Sequence, residues 1–171
     1  TYMLGCLIEK KCGQNMREYL RYRLFEPIGI GNVEWGDCPK GHTIASNGLS
    51  LTIDEMGYYG QLLVNGGVFN GKRILKEEFV KDMFTPFSKE TGEFIPSDPP
   101  APAGYGYQTW LDPVNKAGFM WGIFGQYCVM LPEKNAVVSV ISLDKADGGS
   151  NGIYETSPIR KLIWDDMVSE L

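Results

Sequence analysis

Residues 126–143, with the sequence QYCVMLPEKNAVVSVISL, decide the fold of this chain. Two apolar runs, Gln126 to Leu131 and Ala136 to Leu143, flank the tetrapeptide PEKN at 132–135, which has the composition of a turn. Apolar runs of this length on either side of a short turn are typical of paired strands. The stretch therefore predicts an antiparallel hairpin, and with it a sheet built from neighbouring strands.

Strand patterns continue upstream of this hairpin. Residues 117–122 form a further candidate strand. Residues 105–111 alternate in period two, which also predicts a strand. The stretch before them, residues 85–104, holds five of the ten prolines and is predicted to be an extended connector.

The first half of the chain has helical spacing instead. The apolar residues from Met3 to Ile8 predict a helix that ends at Gly13. Asn15 is placed as the N-cap of a second helix, which Pro27 and Gly29 would end. These patterns make the N-terminal part helical.

Two further helices and a loop complete this half. Residues 29–50 lack either periodicity and are predicted to be a long surface loop. Thr52 and Glu55 form a capping box at the start of the next helix, which would end at residues 65–67. The turn Asn70-Gly71 follows, and residues 76–84 predict a short helix.

The chain closes with a helix launched by Ser157 and Pro158. Helices, then consecutive antiparallel strands, then a closing helix form an α+β pattern, an antiparallel sheet covered by helices. We expect a single domain over residues 1–171, with a helical part (1–84), the proline-rich connector (85–104), and the sheet with the final helix (105–171).

Composition limits the function classes. The chain has 171 residues, and its 21 acidic against 16 basic side chains give a formal charge of -5, which disfavours a nucleic-acid partner. No apolar run approaches the roughly 20 residues of a membrane span. Four irregularly spaced cysteines favour free thiols and a reducing compartment such as the cytoplasm, although secretion stays open.

Four short motifs suggest chemistry and are interpreted as coincidental. Residues 148–152 match G-x-S-x-G but lack the tight strand-to-helix context of a nucleophile elbow. Ser142 and Lys145 match S-x-x-K at the end of a predicted strand, where the two side chains would point to opposite faces. Cys38 and His42 are too few ligands for zinc, and Asp165-Asp166 diverge on their helix, so no metal and no cofactor is predicted.

The glycine pair in residues 122–126, GIFGQ, is more informative. Glycines at the junction of two strands allow a ligand to approach the backbone, permit a bulge, or form a plain hairpin turn. Spacing alone leaves these alternatives open.

Several segments together resemble a known family. They are LFEPIGIGNVEW (24–35), NGLSLTIDEMGYYGQLLVNGGVFNGKRIL (47–75), YGYQTW (105–110) and GIFGQYCVMLPEKNAVVSV (122–140). Taken in this order, these segments resemble the C-terminal part of the β-lactamase-related serine hydrolases. That family includes class C β-lactamases, penicillin-binding D,D-peptidases and esterases. The resemblance implies a partial β-lactamase/penicillin-binding fold.

The family uses an S-x-x-K nucleophile motif, a Y-x-N motif, and a Lys or His followed by Thr-Gly on a strand at a sheet edge. No Y-x-N occurs in the 171 residues, and the resemblance places the first two motifs before Thr1. The chain is therefore expected to be the C-terminal portion of a longer serine hydrolase, with the missing N-terminal part of the same protein as its partner. An apolar stripe at Met3 to Ile8 that loses its neighbours would also favour a homodimer.

The resemblance assigns the candidate site residues. The third motif falls at Met120-Trp121-Gly122, where only the glycine matches, so the usual cation for a substrate carboxylate is missing. The backbone N–H of Ile123 is implied as an oxyanion donor. Asn47, Gly48 and Leu49 are implied to line the substrate cleft.

The function implied for the longer protein is hydrolysis of an ester, amide or β-lactam through an acyl-enzyme. The chain alone is expected to be inactive without the nucleophile. The alternative is a non-catalytic binding or interaction module on the same fold.

Overall fold

The computed structural model of the chain describes residues 1–87, 104–122, 124–143 and 158–171. It combines helices with antiparallel sheet, which confirms the α+β prediction. The chain divides into two compact units, Thr1–Tyr58 (unit 1) and Tyr59–Leu171 (unit 2). No helix within the described ranges is long and apolar enough to cross a bilayer.

Unit 1 begins with the predicted helices. Helix α1 (Tyr2–Cys12) ends at Gly13, whose φ of 69° is the predicted left-handed cap. Helix α2 (Met16–Leu20) is capped by the side chain of Asn15, which accepts from the backbone N–H of Arg17 over 3.0 Å. It continues through a π-helical turn (Arg21–Phe25) and a 3-10 turn (Glu26–Ile28), and Gly29 ends it with a φ of 86°.

The predicted loop at residues 29–50 is more ordered than its sequence indicates. Strands β1 (Glu34–Trp35) and β2 (Leu49–Ser50) pair antiparallel. Inside them, Asp37 and Thr43 form an isolated bridge. The segment therefore folds as a small hairpin.

Helix α3 (Ile53–Val64) confirms the capping box. The backbone N–H of Thr52 donates to Glu55 Oε2 over 2.9 Å, and the backbone N–H of Glu55 donates to Thr52 Oγ1 over 3.2 Å. Unit 2 begins inside α3 at Tyr59. Strands β3 (Val68–Phe69) and β4 (Lys72–Arg73) follow as a hairpin around the predicted Asn70-Gly71 turn, and helix α4 spans Glu77–Met83.

The main sheet of unit 2 has four antiparallel strands in the order β5-β6-β7-β8. They are β5 (Trp110–Asp112), β6 (Ala117–Gly122), β7 (Gln126–Leu131) and β8 (Ala136–Val140). The β7–β8 hairpin is the predicted one, and its turn is a 3-10 turn (Pro132–Lys134) that Asn135 ends with a φ of 50°.

The prediction of a strand over residues 105–111 is wrong for most of its length. Only Trp110–Asp112 form strand β5, and Tyr105 makes an isolated bridge to Trp110. The backbone turns back on itself, since Gly106 N–H donates to the carbonyl of Thr109 over 2.8 Å and Gln108 has a φ of 56°. A tight turn here is incompatible with an extended chain.

Helices cover both faces of this sheet. Helix α5 (Pro158–Lys161) continues as a π-helical segment (Leu162–Val168) and packs against one face. That face supplies the core residues Ala117, Phe119, Tyr127, Val129, Leu131 and Val138, against Ile163, Trp164 and Val168. On the other face, a Cβ at Gly60 of α3 would stand 2.6 Å from Val137 Cγ1 and 2.9 Å from Cys128 Sγ. The sheet therefore forms the middle layer of unit 2.

This close approach gives a first prediction, for Gly60→Ala. Replacing a glycine inside a helix by alanine usually stabilises the protein by about 1 kcal/mol. Here the added methyl overlaps the sheet, and overpacking of a core costs about 1–3 kcal/mol. We expect a net loss in the free energy of unfolding by urea denaturation. Removing the opposing methyls in Gly60→Ala/Val137→Ala should recover part of the loss beyond additivity, and an additive double variant would contradict the overlap.

Candidate active site

The candidate site is the tip of the β6–β7 hairpin. Gly122 and Gln126 form the last pair of the β6–β7 register. The residues between them include Phe124 and Gly125, with φ values of 70° and 84°. Two successive positive φ angles turn the chain sharply at the end of the sheet. Ile123, the implied oxyanion donor, lies outside the described residues.

Strand β6 is paired differently along its length. Its register with β5 covers Ala117, Gly118 and Phe119. Met120, Trp121 and Gly122 pair, among the described strands, with β7. The predicted motif positions thus occupy the part of β6 that extends past β5, a local edge within a four-stranded sheet.

Side chains hold the tip in place. The Oγ of Ser142, just after β8, donates to the carbonyl of Phe124 over 2.8 Å. The side-chain amide of Gln126 donates to the carbonyl of Ser142 over 3.2 Å. A Cβ at Gly122 would lie 2.8 Å from Gln126 Oε1, so the absence of a side chain at this position gives the Gln126 amide its space. We call Gly122, Gln126 and Ser142 the tip clamp.

An aromatic series supports the same hairpin from the core. Trp121 stacks on Tyr127 with ring centroids 6.4 Å apart and an interplanar angle of 12°. Tyr127 packs edge-on against Trp164 at 5.9 Å. The indole N–H of Trp164 donates over 3.0 Å to Oδ2 of Asp112, a carboxylate that is 1% exposed. The position of Trp121 is therefore tied to the packing of the sheet against the last helix.

Cys128, opposite Met120 in the register, is not a nucleophile at neutral pH. Burial raises the pKa of its thiol to about 12, against a smaller opposing effect of a hydrogen bond with Ser139. A thiol with this pKa stays protonated near pH 7. The candidate site therefore has no activated cysteine on this strand.

The second predicted group, Asn47, Gly48 and Leu49, belongs to unit 1. These residues are exposed, and Gly48 takes a φ of 78° between Asn47 and strand β2. The indole N–H of Trp35 is shared between the carbonyls of Ile44, at 2.9 Å, and Asn47, at 3.0 Å. The partly buried indole of Trp35 thus helps to hold the backbone of this exposed loop.

The structure places the predicted site residues in two sets. Met120, Trp121 and Gly122 are consecutive on β6 in unit 2, whereas Asn47, Gly48 and Leu49 lie in unit 1. The G-x-S-x-G match at 148–152 and Lys145 lie outside the described residues. Ser142 of the S-x-x-K match uses its hydroxyl in the tip clamp. Among the described residues, no group of three or more His, Cys, Asp or Glu could hold a metal ion.

Sequence reasoning missed a buried acid in unit 1. Glu9 is 8% exposed, although the sequence of α1 predicts only an apolar stripe as its buried face. Its Oε1 accepts from the backbone N–H groups of Met16, at 2.9 Å, and Thr43, at 3.0 Å, and its Oε2 lies 2.6 Å from His42 Nδ1. Thr43 is fully buried beside it. Because Thr43 follows Glu9 by 34 residues, no local pattern reveals this pair.

Burial alone would raise the pKa of Glu9. The hydrogen bonds from Met16 and Thr43, and then from His42, outweigh burial and hold the pKa at about 2. The carboxylate is therefore ionised at neutral pH. It fastens the residue 37–43 hairpin to α1 within unit 1.

Comparisons with known proteins agree with this architecture. The family model described as Beta-lactamase matches residues 1–151. No curated protein matches the chain. Two similar solved structures are "Putative 6-aminohexanoate-dimer hydrolase from Bacillus anthracis", with a TM-score of 0.74 and 25% identity, and "Crystal structure of putative beta-lactamase from Bacteroides dorei DSM 17855", with a TM-score of 0.70 and 17% identity.

These matches cover nearly all of this chain but only part of each solved structure. The match covers 98% of this chain but 40% of the Bacillus anthracis protein, and 96% of this chain but 55% of the Bacteroides dorei protein. The chain thus spans about half the length, or less, of these solved structures. The resemblance drawn from residues 24–35, 47–75, 105–110 and 122–140 is confirmed by the family match. With its fold, its strand order and its family match, this chain belongs to the beta-lactamase family.

Proposed function

We propose that the chain forms the C-terminal part of a serine hydrolase that cleaves an ester, amide or β-lactam through an acyl-enzyme. The observation that carries the proposal is the family match over residues 1–151, joined to structural similarity over nearly the whole chain. In this proposal the S-x-x-K serine and the Y-x-N tyrosine are supplied by another part of the same protein.

The β6–β7 hairpin is the contribution of this chain to the reaction. The backbone N–H of Ile123 would donate to the oxyanion of the tetrahedral intermediate, a contact that needs no particular side chain. The tip clamp would keep the neighbouring backbone in place during the reaction. Met120 and Trp121 would line the substrate cleft beside it. For Asn47, Gly48 and Leu49 of unit 1, the family resemblance implies a substrate-binding role.

Substrate class follows from the side chains at the motif positions. In the placement that the resemblance implies, Met120 and Trp121 replace the cation and the threonine of the family motif, so a substrate carboxylate would find no charge partner there. The Bacillus anthracis protein is named for a 6-aminohexanoate dimer, a linear amide. The missing cation disfavours substrates that rely on a carboxylate contact at this position, as β-lactams do, and the name of this neighbour favours a linear amide.

The outer face of α1 fits the proposed need for a further part of the protein. Met3, Leu4 and Leu7 are 73%, 57% and 53% exposed. Apolar side chains at this spacing normally pack against another element. The N-terminal part of the same protein is the proposed cover, and a homodimer through this face is the alternative when that part is absent.

The first test is hydrolysis by the 171-residue chain alone. We expect no turnover of p-nitrophenyl acetate, a chromogenic cephalosporin or a 6-aminohexanoate dimer above the buffer rate, because the nucleophile would be elsewhere. Turnover that co-purifies with the chain and disappears in Ser142→Ala or Ser150→Ala would overturn this division of roles.

The second test removes one N–H group in a longer, active protein that contains this chain. Replacing Ile123 by its α-hydroxy analogue through semisynthesis exchanges the amide for an ester, and kcat should fall about 10²–10³-fold. Ile123→Val keeps the N–H group and should retain activity. Equal kcat values for the two variants, with equal thermal stability, would exclude the oxyanion role.

A non-catalytic binding module on the same fold is the second candidate. The departure from the family motif that the resemblance implies at Met120 favours it, since a module has no need of the motif's charge. A longer protein with both upstream motifs and no hydrolase activity would support the module.

A further inference from the structure

The described residues contain three Asn-Gly pairs, Asn47-Gly48, Asn65-Gly66 and Asn70-Gly71. In such a pair the backbone nitrogen after the asparagine can attack the asparagine side chain, because glycine has no side chain to block the approach. All three asparagines are exposed, so water and hydroxide reach each of them. A fourth pair, Asn151-Gly152, lies outside the described residues. The three described pairs differ in how firmly the fold holds them.

Asn65-Gly66 is held at the end of helix α3. The Gly66 N–H donates to the carbonyl of Leu63 over 3.0 Å, so the nitrogen that would attack is already engaged. The side-chain amide of Gln61 donates to Asn65 Oδ1 over 3.0 Å. An attack by Gly66 on Asn65 would break both hydrogen bonds, and we therefore expect this pair to react slowly.

Asn70-Gly71 forms the turn between strands β3 and β4. Phe69 and Lys72, on either side of the turn, are paired in the hairpin. Asn70 and Gly71 have φ values of 47° and 75°, the left-handed conformation of a two-residue hairpin turn. An attack by Gly71 on the Asn70 side chain requires rotation of the backbone at Asn70. That rotation would open the hairpin, so this pair is also expected to react slowly.

Asn47-Gly48 is held less firmly than the other two pairs. Within the described part of the chain, no acceptor takes the Gly48 N–H, and a Cβ at Gly48 would meet nothing within 4 Å. The Asn47 side chain makes one hydrogen bond to described residues, from Nδ2 to Ser46 Oγ over 3.3 Å. The attacking nitrogen and the carbon that it attacks are therefore both accessible.

Rotation of the Asn47-Gly48 peptide gives up a shared hydrogen bond. The indole N–H of Trp35 donates to the carbonyl of Asn47, at 3.0 Å, and to the carbonyl of Ile44, at 2.9 Å. When the Asn47 carbonyl turns away, the indole keeps Ile44 as its acceptor, so the donor is not left unpaired. Moving this peptide thus costs less than opening a helix end or a hairpin.

We propose that Asn47-Gly48 is a modification site, at which the side-chain amide is lost and the asparagine becomes aspartate or isoaspartate. Hydroxide takes the proton of the Gly48 N–H, and this nitrogen attacks Cγ of Asn47. The bond between Cγ and Nδ2 breaks, and the amide nitrogen takes a proton from water and leaves as ammonia. Water then adds to either carbonyl of the resulting succinimide ring and opens it. No oxidant and no co-reactant besides water is needed.

The modification changes the chemistry of the exposed loop around Asn47. Each conversion adds one negative charge to the loop, and isoaspartate also lengthens the main chain by one carbon atom. The resemblance implies a substrate-binding role for these residues, so their site would change as the protein ages. The proposal goes beyond the proposed function, because the conversion takes place whether or not the longer protein is a hydrolase.

The experiment follows the three pairs in the 171-residue chain at mildly alkaline pH. The chain is incubated in water enriched in heavy oxygen and then digested at acidic pH in ordinary water, so that conversion during digestion carries no label. Mass spectrometry measures the labelled carboxylate in each Asn-Gly peptide. We expect Asn47 to convert several-fold faster than Asn65 and Asn70. Conversion of Asn65 or Asn70 as fast as Asn47, or faster, would overturn the proposal.

The same measurement in concentrated urea tests whether the fold is the cause. The three pairs have the same dipeptide, so their rates should approach one another when the chain is unfolded. If Asn47 keeps its full lead in urea, the neighbouring sequence sets its rate, and the proposed structural cause is wrong.

Two controls identify the reacting site. Asn47→Gln keeps a side-chain amide but lengthens the side chain, which makes ring closure slow, so the label should disappear from this peptide and remain unchanged at Asn70. Asn32 is the matched internal control, because it is also exposed in unit 1 but the branched side chain of Val33 hinders the following nitrogen. Label at Asn47→Gln, or at Asn32 at the rate of Asn47, would contradict the proposal. None of these readouts requires hydrolase activity, so this proposal and the proposed function fail separately.

Discussion

Replacement of Glu9 by leucine is expected to lower the free energy of unfolding of unit 1 by about 2–5 kcal/mol, because two buried backbone donors lose their acceptor. The change leaves the backbone N–H groups of Met16 and Thr43 without their acceptor. Each orphaned buried donor costs about 1–3 kcal/mol. The added apolar contact of leucine offsets only part of this.

Trp35 provides the measurement, since it is the one tryptophan in residues 1–58. Its fluorescence should report an earlier urea transition in Glu9→Leu than in the parent chain. Glu18→Leu is the matched control, because the Glu18 carboxylate is about half exposed and its ion pairs are with the partly exposed Arg17 and Arg21. Similar transitions for the two variants would show that the buried contacts of Glu9 do not stabilise the unit.

The same carboxylate predicts an acid dependence. Its pKa is about 2 in the folded chain against 4.5 for a free glutamate, so the unfolded chain binds the proton more tightly. The stabilisation is complete above about pH 4.5 and is lost as the pH falls towards 2. A shift of this size corresponds to roughly 3 kcal/mol. In Glu9→Gln this part of the acid dependence should disappear.

Among glycine-to-alanine substitutions in unit 2, Gly106→Ala is expected to lower the free energy of unfolding most. A Cβ at this position would lie 2.0 Å from the carbonyl oxygen of Met83 and 2.8 Å from its carbon. Backbone atoms cannot rotate away as a side chain does, so the turn at residues 106–109 must open or α4 must move. We expect a loss of about 4 kcal/mol or more, at the extreme of single substitutions.

Gly31→Ala is the control for that substitution. It adds the same methyl group where nothing lies within 4 Å and the backbone has no positive φ. Its effect should stay within about 0.5 kcal/mol. Thermal unfolding followed by circular dichroism compares the two, and equal midpoints would exclude the steric explanation.

Elements with a strong local signal could be predicted from the sequence. The capping box at Thr52 and Glu55, the Asn70-Gly71 turn and the β7–β8 hairpin all form from neighbouring residues, and the structure confirms each. Strand β6 has the predicted bounds. The positions of Met120, Trp121 and Gly122 at the end of β6 follow from the same pattern.

The remaining features depend on contacts that are distant in sequence. Tyr105 and Tyr107 alternate like a strand, but the chain turns between Gly106 and Thr109, where Gly106 lies close to the carbonyl of Met83. The order in residues 29–50 depends on Glu9, which precedes the segment by a whole helix. The tip clamp needs Ser142, which follows strand β8, to reach Phe124 in the β6–β7 turn. Periodicity and composition carry no information on such pairs.

The tip clamp has a consequence for protein engineering. It requires a glutamine at 126, a serine at 142 and no Cβ at 122, and the side chain at 120 takes no part in these hydrogen bonds. A library that randomises Met120 and keeps these three positions would therefore vary the chemistry beside the tip while the course of the main chain is preserved. Selection from such a library would begin from folded proteins.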